Sequence, residues 1–277
     1  MIAAPPLRDV IARHGLSARR AFGQHFLLDE NVTRRIVRLA GPLAGRHVVE
    51  IGPGPGGLTR ALLGSDAASV TAIEIDPRSI AATEELAEKA GERLRVVRDD
   101  ALTVNIASLV PAPRQIVANL PYNIATPLLI NWLREAGAFE RLTLMFQQEV
   151  AERICAAPGT RSYGRLSVLA QWVCRADLLL RLPPSAFVPM PKVFSAVVGL
   201  APHATQPEPG LFAAMERLTA AAFGQRRKML RGSLRGLADE ARLRDVGIEP
   251  ERRAETLSVV EFDRLARLLA TGEPRGP

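Results

Sequence analysis

The sequence predicts an α/β protein, a doubly wound parallel sheet followed by a small all-helical domain. Short runs rich in Val, Ile and Leu alternate with helical patterns from about Asp29 onward, as in βαβ units. A glycine-rich loop follows the first run, and only helical patterns remain after residues 201–210. The candidate strands are HVVEIG (47–52), SVTAIEI (69–75), LRVVRD (94–99), RQIVANL (114–120) and RLTLMF (141–146).

Helices are predicted from their capping residues. DENVTRRIVRLAG begins with Asp29, which can accept hydrogen bonds from the first turn, and ends at Gly41. PRSIAATEELAEKAG opens with Pro77 and closes with Gly91, the asymmetry that is usual for helix ends. GRLSVLAQWVC (164–174) fits a helix or a strand, and the spacing of its leucines favours a helix.

Two further strands are predicted at one edge of the sheet. LLLRL (178–182) and FSAVVGL (194–200) flank a proline-dense link, which suits an edge position. The proline-rich stretch that follows, 201–210, lacks apolar periodicity, so we expect a domain boundary there. The predicted domains are 1–204 and 205–277.

The composition is that of a globular protein with a basic balance. Of 277 residues, 47% are hydrophobic, and the formal net charge of +7 suits a polyanionic partner without requiring one. Cys155 and Cys174 have no CxxC pattern or nearby His pair, so we expect reduced packing thiols and no metal site. No signal segment or membrane span is apparent, so a cytosolic protein is expected.

The loop EIGPGPGGLT (50–59) predicts a nucleotide-like ligand. Gly52, Gly54 and Gly57 satisfy the GxGxxG pattern, in which glycines allow tight turns and close backbone approach. Glu74 stands at the end of the next strand, where a carboxylate can accept ribose hydroxyls. Asp100 is favoured over the neighbouring Asp99 as the acceptor for an adenine amino group. Both NAD and S-adenosylmethionine are served by this arrangement.

The stretch NLPYNIATPLL, which begins at Asn119, favours methyl transfer over hydride transfer. The lone pair of an amino nitrogen on an aromatic ring is delocalised, so two acceptors are needed to favour a geometry that can attack a sulfonium methyl. The Asn119 side-chain oxygen and the Pro121 carbonyl can supply them, and they hold the nucleophile in line. Pro121 makes the turn rigid, and Tyr122 can stack on the base.

Eight motifs together resemble the ribosomal RNA adenine N6-dimethyltransferase family, above all its bacterial members that act on small-subunit RNA. The resemblance runs in order from about Ala21 to Leu269. It implies a class I (Rossmann-like) methyltransferase domain, a helical domain and S-adenosyl-L-methionine as the methyl donor. The motifs are FGQHFLLD, EIGPGPGGLT, IEID, DDAL, NLPYNIATPLL, YGRLSV, PPSAFVPMPKVFSAVV and FGQRRKMLRGSL.

The resemblance also implies roles for individual residues. Phe187 would face Tyr122 across an extruded adenine, although its spacing alone predicts a core residue. Relatives often carry Asn where His25 stands, so the contact to the methionine end of the cofactor is expected to differ here. The implied cofactor residues are His25, Leu27, Gly52, Glu74, Asp100 and Asn119.

The segment QRRKMLRGSLRG (225–236) carries cations and no acid. We predict a helix in which Lys228, Arg231 and Arg235 share a face. A solvated helix face would explain this pattern, but beside a methyltransferase domain we favour phosphate contacts that position RNA. The predicted RNA-binding residues are Arg226, Arg227, Lys228 and Arg231.

The predicted function is dimethylation of N6 on two adjacent adenosines near the 3′ end of small-subunit (16S) rRNA during ribosome biogenesis. The expected partners are that RNA and the assembling small subunit, and the expected state is a cytoplasmic monomer without membrane contact. Three alternatives stay open: a large-subunit rRNA adenine methyltransferase of the antibiotic-resistance type, a non-catalytic ribosome-assembly factor, and an NAD oxidoreductase.

Overall fold

The computed structural model of the chain describes residues 5–16 and 25–271. Residues 22–24 of the motif FGQHFLLD lie outside this range. The strands form a seven-stranded sheet of order β4-β3-β2-β5-β6-β9-β7 and a two-stranded sheet, β1-β8. In chain order they are β1 (Phe26–Leu27), β2 (His47–Ile51), β3 (Ser69–Glu74), β4 (Leu94–Arg98), β5 (Arg114–Asn119), β6 (Arg141–Gln147), β7 (Cys174–Leu182), β8 (Phe187–Val188) and β9 (Ser195–Pro202).

The large sheet confirms the predicted strands and their doubly wound arrangement. Strand β2 pairs in parallel with β3 on one side and with β5 on the other, so the strand order reverses at β2. Strand β6 continues the parallel part beyond β5, and β9 runs antiparallel to β6. Ligands of open α/β sheets bind where the order reverses, beyond the carboxyl ends of the strands. The loops after β2 and β5 meet at this point.

Helices cover the parallel strands as the capping residues predicted. The Asp29 carboxylate accepts a 2.7 Å hydrogen bond from the Asn31 amide at the start of α2. Gly91 adopts φ 58° where α4 ends, a conformation that glycine tolerates best. The helices are α1 (Leu7–Arg13), α2 (Glu30–Leu39), α3 (Gly57–Leu63), α4 (Pro77–Ala90), α5 (Ile106–Leu109), α6 (Ala125–Arg134), α7 (Gln148–Ile154), α8 (Arg165–Val173), α9 (Leu211–Gly224), α10 (Leu230–Ser233), α11 (Glu240–Asp245) and α12 (Val259–Thr271), with 3-10 turns at Gly91–Arg93, Ala136–Ala138, Pro184–Ala186 and Ala254–Thr256.

The central strands are fully buried because helices lie against the sheet. Val48, Val70 and Val117 are 0% exposed and belong to one core cluster with residues of α2 and α3. Near-continuous apolar runs are typical of strands covered on both faces. The same burial makes a charged side chain in such a strand conspicuous.

The chain divides into two compact units, Met1–Ala151 with Asp177–Pro202 and Glu152–Ala176 with His203–Pro277. The second unit is built mainly from helices, and within it the rings of Phe223 and Phe262 stack at 5.7 Å. The longer segment of this second unit begins at His203, close to the predicted boundary at 205. The unit also includes residues 152–176, which the predicted division assigned to the first domain. Buried residues of α8 such as Leu169 account for this, because α8 packs on α9 and α12. The limits 1–204 and 205–277 stay a prediction.

The prediction of one helix over 225–236 is wrong. Helix α9 ends at Gly224, a turn follows, and only the short α10 is helical within this segment. Met229 forms a β-bridge with Arg253, and the Leu230 amide donates to the Arg252 carbonyl at 2.7 Å. This bridge engages backbone groups that a continuous helix would use internally, so the predicted common helical face does not form.

Candidate active site

A cavity of about 290 Å³ lies at the carboxyl ends of the parallel strands. Its lining brings together all of the predicted cofactor residues and most of the predicted catalytic ones. These lining residues are His25, Leu27, Gly52, Glu74, Asp100, Asn119, Pro121 and Tyr122. Residues far apart in the chain thus converge where the strand order predicts a ligand.

The glycine loop forms a cradle at the cavity, and strand β1 packs too closely against it to leave room for side chains. Gly52 and Gly54 adopt φ 64° and 57°, in the left-handed region. A Cβ on Gly54 would lie 2.9 Å from the Phe26 ring, and one on Gly57 would lie 2.6 Å from the Leu27 carbonyl oxygen. The GxGxxG pattern therefore has a steric cause here, since strand β1 runs directly against the loop.

Glu74 is held in place by the backbone that follows it. Its Oε1 accepts hydrogen bonds from the Ile75 and Asp76 amides at 2.8 and 2.9 Å. Burial raises the pKa of Glu74, and these amides together with that of Gly54 oppose the rise. The fixed carboxylate lines the cavity and keeps acceptor capacity on Oε2, which suits ribose hydroxyls.

Asp100 lines the cavity, whereas its neighbour Asp99 accepts a hydrogen bond from the backbone. Asp100 Oδ1 accepts a 2.9 Å hydrogen bond from the Leu102 amide, which fixes the side chain. Asp99 is exposed, and its Oδ1 accepts from the Asp100 amide at 2.8 Å. Of the two carboxylates, Asp100 is the one that the cavity lining includes.

Asn119 ends β5 with its side chain oriented by a distant residue. Its Nδ2 donates a 3.0 Å hydrogen bond to the His25 carbonyl, so Oδ1 keeps its acceptor capacity. Two positions on, the Pro121 carbonyl accepts a 3.2 Å hydrogen bond from the Ile124 amide and has a second lone pair left. Both acceptors that the sequence predicted therefore belong to the cavity lining, and each can accept a further hydrogen bond.

Tyr122 is fixed at both its ring and its hydroxyl. The hydroxyl lies 2.5 Å from the buried Ser195 Oγ, and the ring centroid lies 5.3 Å from that of His25. The His25 Nδ1 lies 2.8 Å from the Pro189 carbonyl oxygen, which can only accept, so Nδ1 carries the hydrogen. Burial raises the pKa of Tyr122, so the phenol stays protonated at neutral pH. These contacts fix the position of the Tyr122 ring in the lining of the cavity.

Residues 15–271 match the family described as ribosomal RNA adenine dimethylase. The chain belongs to this family. A Gluconobacter oxydans protein named ribosomal RNA small subunit methyltransferase A is 61% identical over 96% of this chain and 88% of its own length. A protein of the same name from Rhodospirillum rubrum is 54% identical over 95% of this chain and 92% of its own.

Solved structures agree with this assignment. A dimethyladenosine transferase from Plasmodium falciparum is 27% identical with a TM-score of 0.75, covering 87% of this chain and 96% of that one. The 23S rRNA methyltransferase ErmE is 28% identical with a TM-score of 0.67, covering 88% and 99%. The predicted class I methyltransferase fold is confirmed. This rRNA adenine dimethylase uses S-adenosyl-L-methionine as its methyl donor.

Glu50 is a residue of the dimethylase site that the sequence prediction missed. It is 2% exposed and lines the cavity, and its Oε2 has no hydrogen-bond partner among the described residues. Burial raises the pKa of Glu50 to about 8, nearby Thr59 opposes the rise, and the charge of Glu74 adds to it. The sequence could have indicated Glu50, because it is a charged residue inside the apolar run HVVEIG and a buried acid needs a partner.

The cavity fits S-adenosyl-L-methionine on three observations. The glycine loop lines the cavity with its backbone at Gly52 and Gly54, and Glu74 offers a fixed acceptor for the ribose. The unpartnered Oε2 of Glu50 suits a ligand that brings a positive charge or hydrogen-bond donors. That cofactor carries both, in its sulfonium and its amino group.

Phe187, which the family resemblance places opposite Tyr122, is buried in the core. It is 2% exposed, pairs with Leu27 across the β1-β8 ladder and belongs to the main core cluster. It is not among the described residues that line the cavity. In this structure Phe187 therefore packs as its spacing alone predicted, and its contact with the target base stays a prediction.

The predicted RNA-binding residues of the dimethylase differ in their surroundings. Arg227 and Lys228 are exposed, whereas Arg226 donates to the Thr160 carbonyl at 3.2 Å. Arg231 is 49% exposed and lies 3.7 Å from a Glu251 oxygen. Arg227 and Lys228 are thus the side chains most open to phosphate contacts.

No helix in the described parts of the chain has the length and apolar character needed to cross a membrane.

Proposed function

We propose that this dimethylase transfers methyl groups to N6 of two adjacent adenosines near the 3′ end of 16S rRNA, giving N6,N6-dimethyladenosine during ribosome biogenesis. Relatives that carry a small-subunit name are 61% and 54% identical over nearly the whole chain. The 23S enzyme ErmE is 28% identical, which is weaker support for a large-subunit target. The observation that supports this chemistry most directly is the hydrogen bond from Asn119 Nδ2 to the His25 carbonyl. Because the nitrogen is engaged in this bond, the side-chain oxygen can accept a hydrogen from the target amino group.

Residues from several parts of the chain line the cavity and would hold the cofactor. When bound, S-adenosyl-L-methionine supplies a methyl group on a positively charged sulfur, which makes it an activated donor. Glu74 accepts the ribose hydroxyls, and Asp100 accepts from the adenine amino group. The glycines from Gly52 onward let the backbone approach closely, and Leu27 and His25 close the same cavity.

The turn after β5 would orient the target nitrogen. The Asn119 Oδ1 and the Pro121 carbonyl accept the two N6 hydrogens, which draws the lone pair out of conjugation with the ring. Tyr122, fixed by its hydroxyl, supports the base by stacking, which contributes about 1 to 3 kcal/mol per base. This stacking offsets the few kcal/mol that extrusion of a base costs.

Positioning accounts for this catalysis without a strong base. The nitrogen becomes positively charged once it has accepted the methyl group, so its hydrogen is readily lost to water afterwards. After the first transfer one N6 hydrogen remains, and one of the two acceptors still has a donor to hold. The second methylation therefore requires the same site with a monomethylated base.

The basic turn of the second unit would contact RNA phosphates. Arg227 and Lys228 are exposed and form no ion pair within the described residues. Such contacts position RNA without reading its sequence. We further propose that the protein acts as a cytoplasmic monomer on the assembling small subunit.

Methyl transfer to defined particles tests the proposal. Small subunits from cells lacking the modification are incubated with the protein and labelled S-adenosyl-L-methionine, and the modified nucleotides are mapped. We expect two dimethylated adenosines in 16S rRNA and no label in large-subunit RNA. Label confined to 23S rRNA would favour the large-subunit alternative. Cofactor binding without transfer to either RNA would favour the non-catalytic assembly factor.

A further inference from the structure

The loop of residues 189–194 (PMPKVF), here called the 189–194 loop, is tied to the active site at both ends. At its start the Pro189 carbonyl accepts from His25, whose ring lies against Tyr122. At its end Ser195, the first residue of β9, is hydrogen-bonded to the Tyr122 hydroxyl. The Phe194 carbonyl also accepts a 2.9 Å hydrogen bond from the Gln148 amide. The loop is therefore fixed relative to the ring that supports the target base.

Between these attachments the loop presents apolar side chains to solvent. Met190 is 63% exposed, Phe194 is 50% exposed and Val193 is 45% exposed, and the preceding Val188 is 50% exposed. Lys192, in the middle of the loop, is exposed as well. These exposed apolar side chains lie within seven consecutive residues, 188–194, and exposed apolar patches usually mark interaction sites.

The chemistry of this surface fits unstacked nucleobases. An adenosine that leaves its stack exposes the faces of the bases on either side of it, and such faces bind aromatic and apolar side chains. Lys192 adds a cation for the backbone phosphate between them. Since Phe187 is buried, Phe194 is the phenylalanine of the segment 187–194 that solvent reaches.

We propose that the 189–194 loop is a stacking platform for the nucleobases that flank the target adenosine, with Phe194 as its main contact. This inference rests on the proposed function for the identity of the RNA. The platform continues the site outward from Tyr122, so the flanking bases and the extruded base are held by one rigid part of the protein.

Base stacking on Phe194 can be measured without methyl transfer. The probe is a single-stranded RNA oligonucleotide with two adjacent adenosines and 2-aminopurine, a fluorescent adenine analogue, beside them. We expect the fluorescence to be quenched on binding, and Phe194→Ala to lose the quenching and weaken binding about tenfold. Phe194→Tyr keeps a stacking ring and should stay within about twofold of the wild type. Val260→Ala, at a residue 68% exposed on α12, is the matched control for loss of an exposed apolar side chain.

The outcomes separate this inference from the proposed function. Calorimetry with S-adenosyl-L-methionine should give the same affinity for the wild type and Phe194→Ala, which establishes that the variant folds. Unchanged quenching and affinity in Phe194→Ala, or absence of RNA binding by the wild type, would overturn the platform. A wild-type dimer that Phe194→Ala dissociates in sedimentation would overturn it too, because the loop would then contact a second copy. Quenching that depends on Phe194 without methyl transfer to small subunits would keep the platform and reject the proposed function.

Discussion

The side-chain amide of Asn119 donates a 3.0 Å hydrogen bond to the backbone carbonyl of His25. This bond decides which end of the Asn119 amide stays available, since the nitrogen is engaged and the oxygen keeps acceptor capacity. It also links the end of β5 to the segment that enters β1. The residue that orients the nucleophile is thus oriented by a part of the chain far away in the sequence.

Asn119→Ala should lose most turnover and keep part of its cofactor affinity. The substitution removes one of the two acceptors for the N6 hydrogens, and misplacement of a reacting group costs about 100-fold in rate. Single-turnover methyl transfer to small subunits gives the rate, and calorimetry gives the affinity for S-adenosyl-L-methionine.

Asn119→Asp tests the donor end of the same hydrogen bond, from Asn119 Nδ2 to the His25 carbonyl. Aspartate keeps an acceptor toward the substrate, but it has no hydrogen to donate to the His25 carbonyl. We expect Asn119→Asp also to be slow, with less than a tenth of wild-type activity. Near-normal rates in Asn119→Ala would disprove the orienting role.

Gly54→Ala should weaken cofactor binding at least tenfold and lower the melting temperature. Its Cβ would lie 2.9 Å from the Phe26 ring, and alanine is strained at φ 57°. The strain alone costs about 1 to 2 kcal/mol, and the clash with β1 adds to it. Thermal unfolding and calorimetry measure the two effects.

Gly45→Ala separates strain from contact. Gly45 has φ 72°, and nothing lies within 4 Å of a Cβ added there. This variant should lose stability through strain and keep its cofactor affinity. Equal affinities of Gly54→Ala and Gly45→Ala for the cofactor would show that the close contact between β1 and the glycine loop does not affect cofactor binding.

Local patterns in the sequence predicted the parts of the structure that depend on local physics. The strand from His47 follows from its β-branched run, and helix α2 follows from the cap at Asp29. The positions of Glu74 and Asp100 on the cavity follow from the rule that parallel strands end at one edge. Each inference needed only the neighbouring residues and the alternation of strands and helices.

The remaining features depend on contacts between distant residues. The spacing around Phe187 predicted its burial, but its pairing with Leu27 joins residues far apart in the sequence, and no local pattern reveals it. The bridge between Met229 and Arg253 likewise breaks the predicted helix over 225–236. Glu50 is different, because a charge within an apolar strand was visible in the sequence and pointed to a buried polar role.

Replacing Arg227 and Lys228 with glutamine should reduce the salt dependence of RNA binding. Each phosphate contact contributes about one unit to the slope of log affinity against log salt concentration. The double variant should therefore lower the slope by up to about 2 units and weaken binding to all RNA sequences alike. Titrations with 16S rRNA fragments at several salt concentrations give the slope.

Arg267→Gln is the control for loss of charge. Arg267 is 48% exposed on α12 and its Nε lies 2.9 Å from Asp263, so it is engaged within the protein. Its replacement should leave the slope nearly unchanged. If the double variant kept the wild-type slope, the basic turn would be a solvated surface and the phosphate contacts would lie elsewhere.

Glu50→Gln should change how the stability of the cofactor-free protein depends on pH. Burial raises the pKa of Glu50 from the ordinary 4.5 to about 8. Between these values the unfolded chain is ionised at this position and the folded protein keeps the proton. The free energy of unfolding therefore falls by about 1.4 kcal/mol per pH unit as the pH rises, and this loss is complete above about pH 8.

Glutamine cannot ionise, so the variant lacks this loss at high pH. Relative to the wild type, Glu50→Gln should become steadily more stable from pH 5 to pH 8.5, as urea unfolding at each pH will measure. Glu92→Gln makes the same substitution at an exposed position, where no burial acts on the side chain, and should run parallel to the wild type. If the stability difference between Glu50→Gln and the wild type did not vary with pH, Glu50 would be ionised in the folded protein at pH 5. Its carboxylate would then need a partner within the folded protein, and the conclusion that burial keeps Glu50 protonated in the cofactor-free protein would be wrong.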